Sequence, residues 1–341
     1  MTHPPSNPYR TDYPGAGFFQ GRSTEIALLV ESLRTGRQSL AAVMGGRGMG
    51  KTSLALRIQA ELASDPSLPV HLIRKVSVDP LDFLSQIAVR LGQPLDASLP
   101  VESIVAAVRR SPGGRVVLLA DEIDGLLASE QGRSLMEALR IAWEELQGKL
   151  GLVVFGGSAL RALLSSGSSP LLRAARWLPL KGLSLDDAAT LIREPLHLTV
   201  PDPLVEVLWE QTGGPPLLLQ AILERAVGLG APVVDQLPEA VRRVTEERLE
   251  PTLFPIWWDN LGEGGQAVYR ALLGHRQPVE RNDQARVFGQ APQGWIEVLE
   301  TTGLARSEGD QLLPRCELFR IWVEQNHPRA ASGAPARLAF A

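Results

Sequence analysis

The chain has 341 residues, 44% hydrophobic and 21% charged, with a formal net charge of −4. That length implies about two to three domains and a sizeable core, and the balance excludes global disorder and broad nucleic-acid binding through a basic surplus. A single cysteine, Cys316, and five histidines exclude an intrachain disulfide and a cysteine-based zinc cluster, so a reducing, cytoplasmic location is expected.

Residues 1–17 are rich in Pro and Gly and lack an apolar core behind basic residues. They read as a flexible tail, or an arm that docks on something, and not as a signal peptide. No apolar run reaches membrane-span length, so no membrane association is expected. Ser23-Thr24, the spacing of EIALLVESLRT and Gly36 predict a helix with a Ser/Thr cap and a glycine stop. SLAAVMGG then reads as a buried strand entering a glycine loop, followed by a helix in SLALRIQAELAS. VHLIRKV (70–76) is a second strand, and two helices follow it. RVVLLADEID (115–124) is a continuous apolar run ending in carboxylates, the pattern of a parallel strand buried on both faces. A helix over 133–147, the strand GLVVFGGS (151–158) and a last strand in 176–184 complete an alternating α/β pattern.

After Leu183 the pattern becomes helical, over 185–193, 202–212, 215–228 and 235–249, with breaks at prolines and Gly213-Gly214. From about 251 the expectation is helices at 264–273, 283–288, 292–302 and 315–326, with a short strand pair around Glu308-Gly309-Asp310. Three helices and a hairpin outline a winged helix, and residues 329–341 form a second flexible tail. The expected domains are thus 18–183, 184–250 and 251–328.

GGRGMGKT (45–52) matches G-x-x-x-x-G-K-[ST] between a predicted strand and a predicted helix, which is the context of a P-loop. Glycines let backbone N–H groups turn inward around a phosphate at a helix N-terminus. The candidate phosphate-binding residues are Gly45, Gly46, Arg47, Gly48, Met49, Gly50, Lys51, Thr52 and Ser53. Lys51 would reach the β- and γ-phosphates, and the Thr52 hydroxyl would hold Mg²⁺. In VVLLADEID, Asp121 is placed to hold the same cation and Glu122 to polarise an attacking water as general base. Asp124 reads as a capping or supporting residue. Ser158, at the end of GLVVFGGS, either caps the next helix or sits between the γ-phosphate and the water.

These motifs, taken in order, resemble AAA+ ATPases of the initiator and STAND-like branch, similar to the Orc1/Cdc6 group. FFQGRSTEIALL (18–29) looks like the segment that lies against adenine, which implies roles for Phe19 and Arg22. GGRGMGKT is similar to Walker A, DEID to Walker B and Ser158 to sensor 1. TGGPPLLLQ (212–220) resembles the lid signature whose proline, Pro215 here, packs near the nucleotide. The resemblance implies a P-loop AAA+ core with a parallel sheet, a helical lid and a C-terminal winged helix, with ATP and Mg²⁺ bound between core and lid.

Two departures shape that expectation. The lid position where Orc-like members carry a sensor-2 arginine reads Pro215, Pro216, Leu217, Leu218, which tilts the resemblance toward slow hydrolysis and a nucleotide-set switch. No repeat array or effector is fused, so a protein partner in trans is implied. The family also implies a homo-oligomer in which one subunit lends an arginine to its neighbour. Arg173 and Arg176 lie where that finger is usual, and Arg161 is the fallback; all three could equally be surface residues.

The candidate recognition helix, 292–303, offers Glu297 and Glu300 and no basic residue. Residues 241–341 hold 12 Arg against 13 Asp and Glu, which gives no surplus to neutralise phosphates. Trp257, Trp258, Trp295 and Trp322 read as core aromatics. The expected function is therefore a Mg²⁺-dependent ATPase switch that couples nucleotide state to oligomerisation and a protein partner. The alternative is a DNA-associated AAA+ ATPase of replication-initiator or transposition-regulator type.

Overall fold

A computed structural model of the chain describes residues 7–9, 11, 19–166, 174–275, 278–289 and 293–328. The chain divides into a sheet unit, Pro14–Gly45 with Gly50–Leu180, and a helical unit, Met1–Tyr13, Gly46–Met49 and Lys181–Ala341.

The sheet unit is built on five parallel strands in the order β2-β3-β4-β1-β5: β1 Leu40–Met44, β2 Val70–Ile73, β3 Val116–Ala120, β4 Leu150–Gly156 and β5 Arg176–Pro179. Every residue of β1, β3 and β4 is buried, as apolar runs without alternation require when both faces of a sheet are covered. Helices α1 (Ser23–Thr35), α2 (Lys51–Leu62), α3 (Pro80–Leu91), α4 (Pro100–Arg110), α5 (Asp124–Leu127), α6 (Glu130–Leu146) and α7 (Ser158–Ser166) connect them. The α1 cap departs from expectation. Ser23 is already helical, the cap position is Arg22 with left-handed backbone (φ 62°), and Gly36 ends the helix at φ 73° as expected.

The strand order has one consequence for everything that follows. Because β4 lies between β1 and β3, the residues leaving its carboxyl end emerge between the glycine loop after β1 and the acidic turn after β3. Sites in open α/β sheets form at these carboxyl ends.

The helical unit contains α8 (Leu185–Arg193), α9 (Asp202–Thr212), α10 (Pro216–Leu229), α11 (Leu237–Val244), a π-helical stretch (Thr245–Leu253), α12 (Phe254–Gly274), α13 (Gln284–Phe288), α14 (Gln293–Thr301) and α15 (Glu317–Asn326). A small antiparallel sheet, β6 (Val279–Glu280), β8 (Gln311–Pro314) and β7 (Ala305–Glu308) in that order, carries the hairpin expected around Glu308–Asp310. The break expected near residue 250 is absent from the backbone. α11 runs through the π-helical stretch, which accommodates Pro251, straight into α12, where Gly262 alone leaves helical geometry.

Aromatic rings fill this unit's core. Phe254 meets Phe319 edge-on at 5.3 Å, Phe319 stacks on Trp322 at 5.6 Å, and Trp257 is 1% exposed. On Trp209, the guanidiniums of Arg306 and Arg315 sit 4.3 and 4.6 Å from the ring centroid. Among the described residues, no single helix is long and apolar enough to cross a membrane.

Candidate functional site

The sheet unit gathers Lys51, Thr52, Asp121, Glu122 and Asp124 at the carboxyl ends of its strands. Gly45 continues the sheet, its N–H donating to the Gly156 carbonyl at 3.2 Å. Gly48 (φ 91°) and Gly50 (φ 84°) adopt left-handed backbone, a conformation that lets successive N–H groups converge and that side-chain-bearing residues avoid. α2 starts directly after Gly50 without a side-chain cap, so its first amides and positive dipole end are the groups the loop presents. Lys51 folds back so that Nζ donates to the Gly45 carbonyl at 2.7 Å. Burial lowers its pKa, while the charges of Asp124, Asp121 and Glu122 work in the opposite direction.

The Thr52 hydroxyl donates to Asp121 Oδ2 at 2.6 Å, joining the start of α2 to the end of β3. Asp121 is 1% exposed. Burial pushes its pKa up, opposed by the Thr52 hydrogen bond and by Lys51. A buried carboxylate beside a hydroxyl is a pair of hard oxygen donors that suits Mg²⁺. Among the described residues no three His, Cys, Asp or Glu side chains form a metal cage of their own. A cation at Thr52 and Asp121 would therefore complete its shell with phosphate oxygens and water, which is the usual habit of Mg²⁺.

Glu122 is exposed and left-handed (φ 63°), and its N–H donates to Asp121 Oδ1 at 3.0 Å. Such backbone strain in a residue with a side chain costs about 1–3 kcal/mol and collects at functional sites. Here it directs the residue after the buried Asp121 out of the β3 line.

Asp124 is a capping residue, as the sequence suggested, but for a helix far from it in sequence. Its Oδ2 accepts from Gly157 N–H at 2.7 Å, and its Oδ1 accepts from Ala159 N–H at 2.8 Å and Leu160 N–H at 3.2 Å. One carboxylate thus caps α7 and fixes the turn that carries Ser158. The capping alternative for Ser158 itself falls away, because the α7 amides are taken by Asp124; Ser158 is exposed at the head of the helix. No local signal could reveal this, since the partners are 33 to 36 residues apart in sequence.

The remaining candidates are placed elsewhere. Arg22 starts α1, its carbonyl accepting from Ile26 N–H at 2.9 Å and its guanidinium lying 3.6 Å from Glu25. Phe19 precedes it, half-buried. Arg176 pairs in register with Ala41 at the start of β5, and its guanidinium bonds the Gln38 side chain. It is therefore three residues short of the carboxyl end, where Pro179 faces Met44. Arg161 lies on α7, and Arg173 lies outside the described residues. In the helical unit, Pro215 and Met49 pack against Gly303, where an added Cβ would come within 2.8 Å of Pro215 Cγ and 3.0 Å of Met49 Cε. In that unit, too, the Gly46 N–H donates to the Thr301 carbonyl at 2.8 Å and the Leu217 N–H to the Gly48 carbonyl at 3.2 Å.

No curated protein sequence matches the chain. Three solved structures share its fold at low identity. The Walker-type ATPase Paby2304 of Pyrococcus abyssi is 17% identical (TM-score 0.57), covering 89% of this chain and 96% of that one. The Aeropyrum pernix Orc1 protein, solved in complex with DNA, is 16% identical (TM-score 0.53), covering 92% and 94%. Cdc6p from Pyrobaculum aerophilum is 16% identical (TM-score 0.51), covering 95% and 97%. Residues 34–164 match the family described as AAA domain. That stretch runs from the end of α1 through the glycine loop, Asp121, Glu122 and Ser158, and the chain as a whole shares the fold of the Walker-type ATPase, Orc1 and Cdc6p structures.

Proposed function

We propose that the protein binds ATP with Mg²⁺ and hydrolyses it slowly, as a switch whose nucleotide state governs self-assembly and engagement of a protein partner. The observation that carries this reading is the hydrogen bond from the Thr52 hydroxyl to the buried Asp121, with Glu122 held next to that carboxylate by its own backbone N–H. When bound, Mg²⁺ draws charge from the β- and γ-phosphate oxygens. Lys51 and the N-terminal amides of α2 hold the phosphates. Glu122 orients the attacking water and takes its proton as the new P–O bond forms and the bond from the γ-phosphorus to the bridging oxygen breaks. Asp124 keeps Ser158 at the end of β4, between the loop and the acidic turn.

A protein partner is favoured over DNA by the chemistry of α14. Glu300 is only 11% exposed at its side chain, ion-paired to Lys181 at 2.8 Å, and it also accepts from Ser307 N–H at 3.0 Å. A helix that carries carboxylates and no basic residue of its own, with Glu300 engaged inside its own unit, is poorly suited to phosphates or base edges.

The test is ATP turnover per subunit over a wide range of protein concentration. Glu122→Gln should lower turnover by about 10²–10⁴-fold while ATP binding persists. Turnover per subunit that climbs with concentration would support assembly with an arginine supplied in trans. Turnover unchanged in Glu122→Gln would sink the general-base assignment.

A further inference from the structure

Residues 7–9 and 11, within the stretch whose composition suggested a tail or a docking arm, are packed in the helical unit. Tyr9 is 1% exposed and belongs to the hydrophobic core of the helical unit. Its hydroxyl donates to the Ile192 carbonyl at 2.9 Å. That carbonyl is in the last turn of α8, where an α-helix supplies no donor of its own. Burial pushes the Tyr9 phenol up to about 12, so it remains a donor at neutral pH.

Two neighbours of Tyr9 are also engaged. Asn7 Nδ2 donates to the Glu224 carbonyl on α10 at 3.0 Å, and Asn7 Oδ1 accepts from Tyr9 N–H at 3.0 Å. The Thr11 hydroxyl donates to Glu224 Oε2 at 2.6 Å and accepts from Arg248 Nη1, on the π-helical stretch, at 2.8 Å. The engaged residues are 7, 9 and 11; the chain bends at Pro8, where Asn7 Oδ1 reaches the amide two residues on in an Asx-type turn. Residues 7–9 and 11 contribute no helix or strand. One buried aromatic anchor flanked by polar contacts is how grooves recognise peptides, whereas a structural terminus is usually held as a strand or helix.

We propose that α8, α10 and the π-helical stretch form a peptide-binding site that reads Asn-x-Tyr-x-Thr. Its resident ligand is the chain's own residues 7–11, which can leave and rebind as a unit. The ligand class is a short segment, bent as Asn7 bends it, with a tyrosine anchor, an amide side chain two residues before it and a hydroxyl two residues after. The site is separate from the nucleotide reading and does not depend on it.

The experiment uses a chain lacking residues 1–11 and a synthetic peptide of residues 1–11 carrying a fluorophore at its C-terminus. Saturable anisotropy is expected. The Tyr9→Ala peptide should lose binding, and the Tyr9→Phe peptide, missing one hydrogen bond, should bind roughly two- to tenfold more weakly. The intact chain should bind the labelled peptide less well, because its own arm competes. Equal binding of the Tyr9→Ala peptide would overturn the proposal, as would no saturable binding to a shortened chain that keeps its cooperative melt. If the shortened chain does not fold, amide exchange in the intact chain decides the matter. Exchange of the Tyr9 amide at a lower opening free energy than the β4 amides supports a ligand that leaves. Exchange of that amide only through global unfolding makes the arm part of the core and ends the proposal.

Discussion

The two units bury their residues with different materials and spend their polar groups differently. The sheet unit's core is mostly aliphatic; Leu, Val and Ala from β1, β3 and β4 pack with α3, α4 and α6, and Phe83 and Phe155 are fully buried rings among them. The helical unit's core contains Tyr9, Trp209, Phe254, Trp257, Trp258, Tyr269, Phe288, Phe319 and Trp322. Parallel strands fix the spacing of side chains through the backbone ladder, so small branched residues fill the layers. Short helices at varied angles leave irregular gaps, and rings fill them at the cost of bringing polar atoms inside. The buried polar groups follow that division. In the sheet unit Asp121 is buried and bonded to Thr52. In the helical unit Tyr269 Oη and Trp257 Nε1 are buried without a hydrogen-bond partner.

Three substitutions would sharpen or break that contrast. The largest effect is expected at Asp124. Asp124→Ala leaves three α7 and turn amides without their acceptor, and should cost about 1–3 kcal/mol of stability. Faster amide exchange at Ala159 and Leu160 would locate the loss, and ATP turnover should fall without the nucleotide site being emptied. Unchanged exchange there would mean that the carboxylate is not the cap.

Cys316 comes next. It is fully enclosed in the helical unit, and burial pushes its thiol up from 9.0 to about 12. The folded form then stays protonated while the unfolded form ionises, so this group's contribution to stability is intact below pH 9 and is lost as pH rises toward 12. Relative to Cys316→Ala, the wild type should lose about 1.4 kcal/mol of its advantage by pH 10, measured as the change in the denaturation difference between the two proteins. A difference that does not vary with pH would show a thiol open to water. The smallest effect is expected at Tyr269. Tyr269→Phe removes an unpartnered hydroxyl and should leave the stability unchanged or raise it by up to about 1 kcal/mol, read by denaturation. A clear loss would show that the hydroxyl has a partner, such as a buried water.

The regions where reading the sequence and reading the structure diverge follow the same line. The helix expected to end at 249 continues through Pro251 in π-helical form, because the wider turn accommodates a residue without an N–H. Asp124 was legible as a capping or supporting residue, but the helix it caps, α7, was not. The same holds for Tyr9, whose burial depends on a carbonyl 183 residues away.

The five strands, the glycine loop, the acidic turn after β3 and the change to a helical second half were all determined by the sequence itself. Each rests on a local rule: continuous apolar runs for doubly covered strands, glycines where the backbone must turn left-handed, carboxylates at a strand's end. Tertiary structure alone decided the cap on α7, the unbroken run from α11 to α12, and the capture of the N-terminal arm. These depend on a donor meeting an acceptor, or a ring meeting a gap, across stretches of chain whose separation no periodicity encodes.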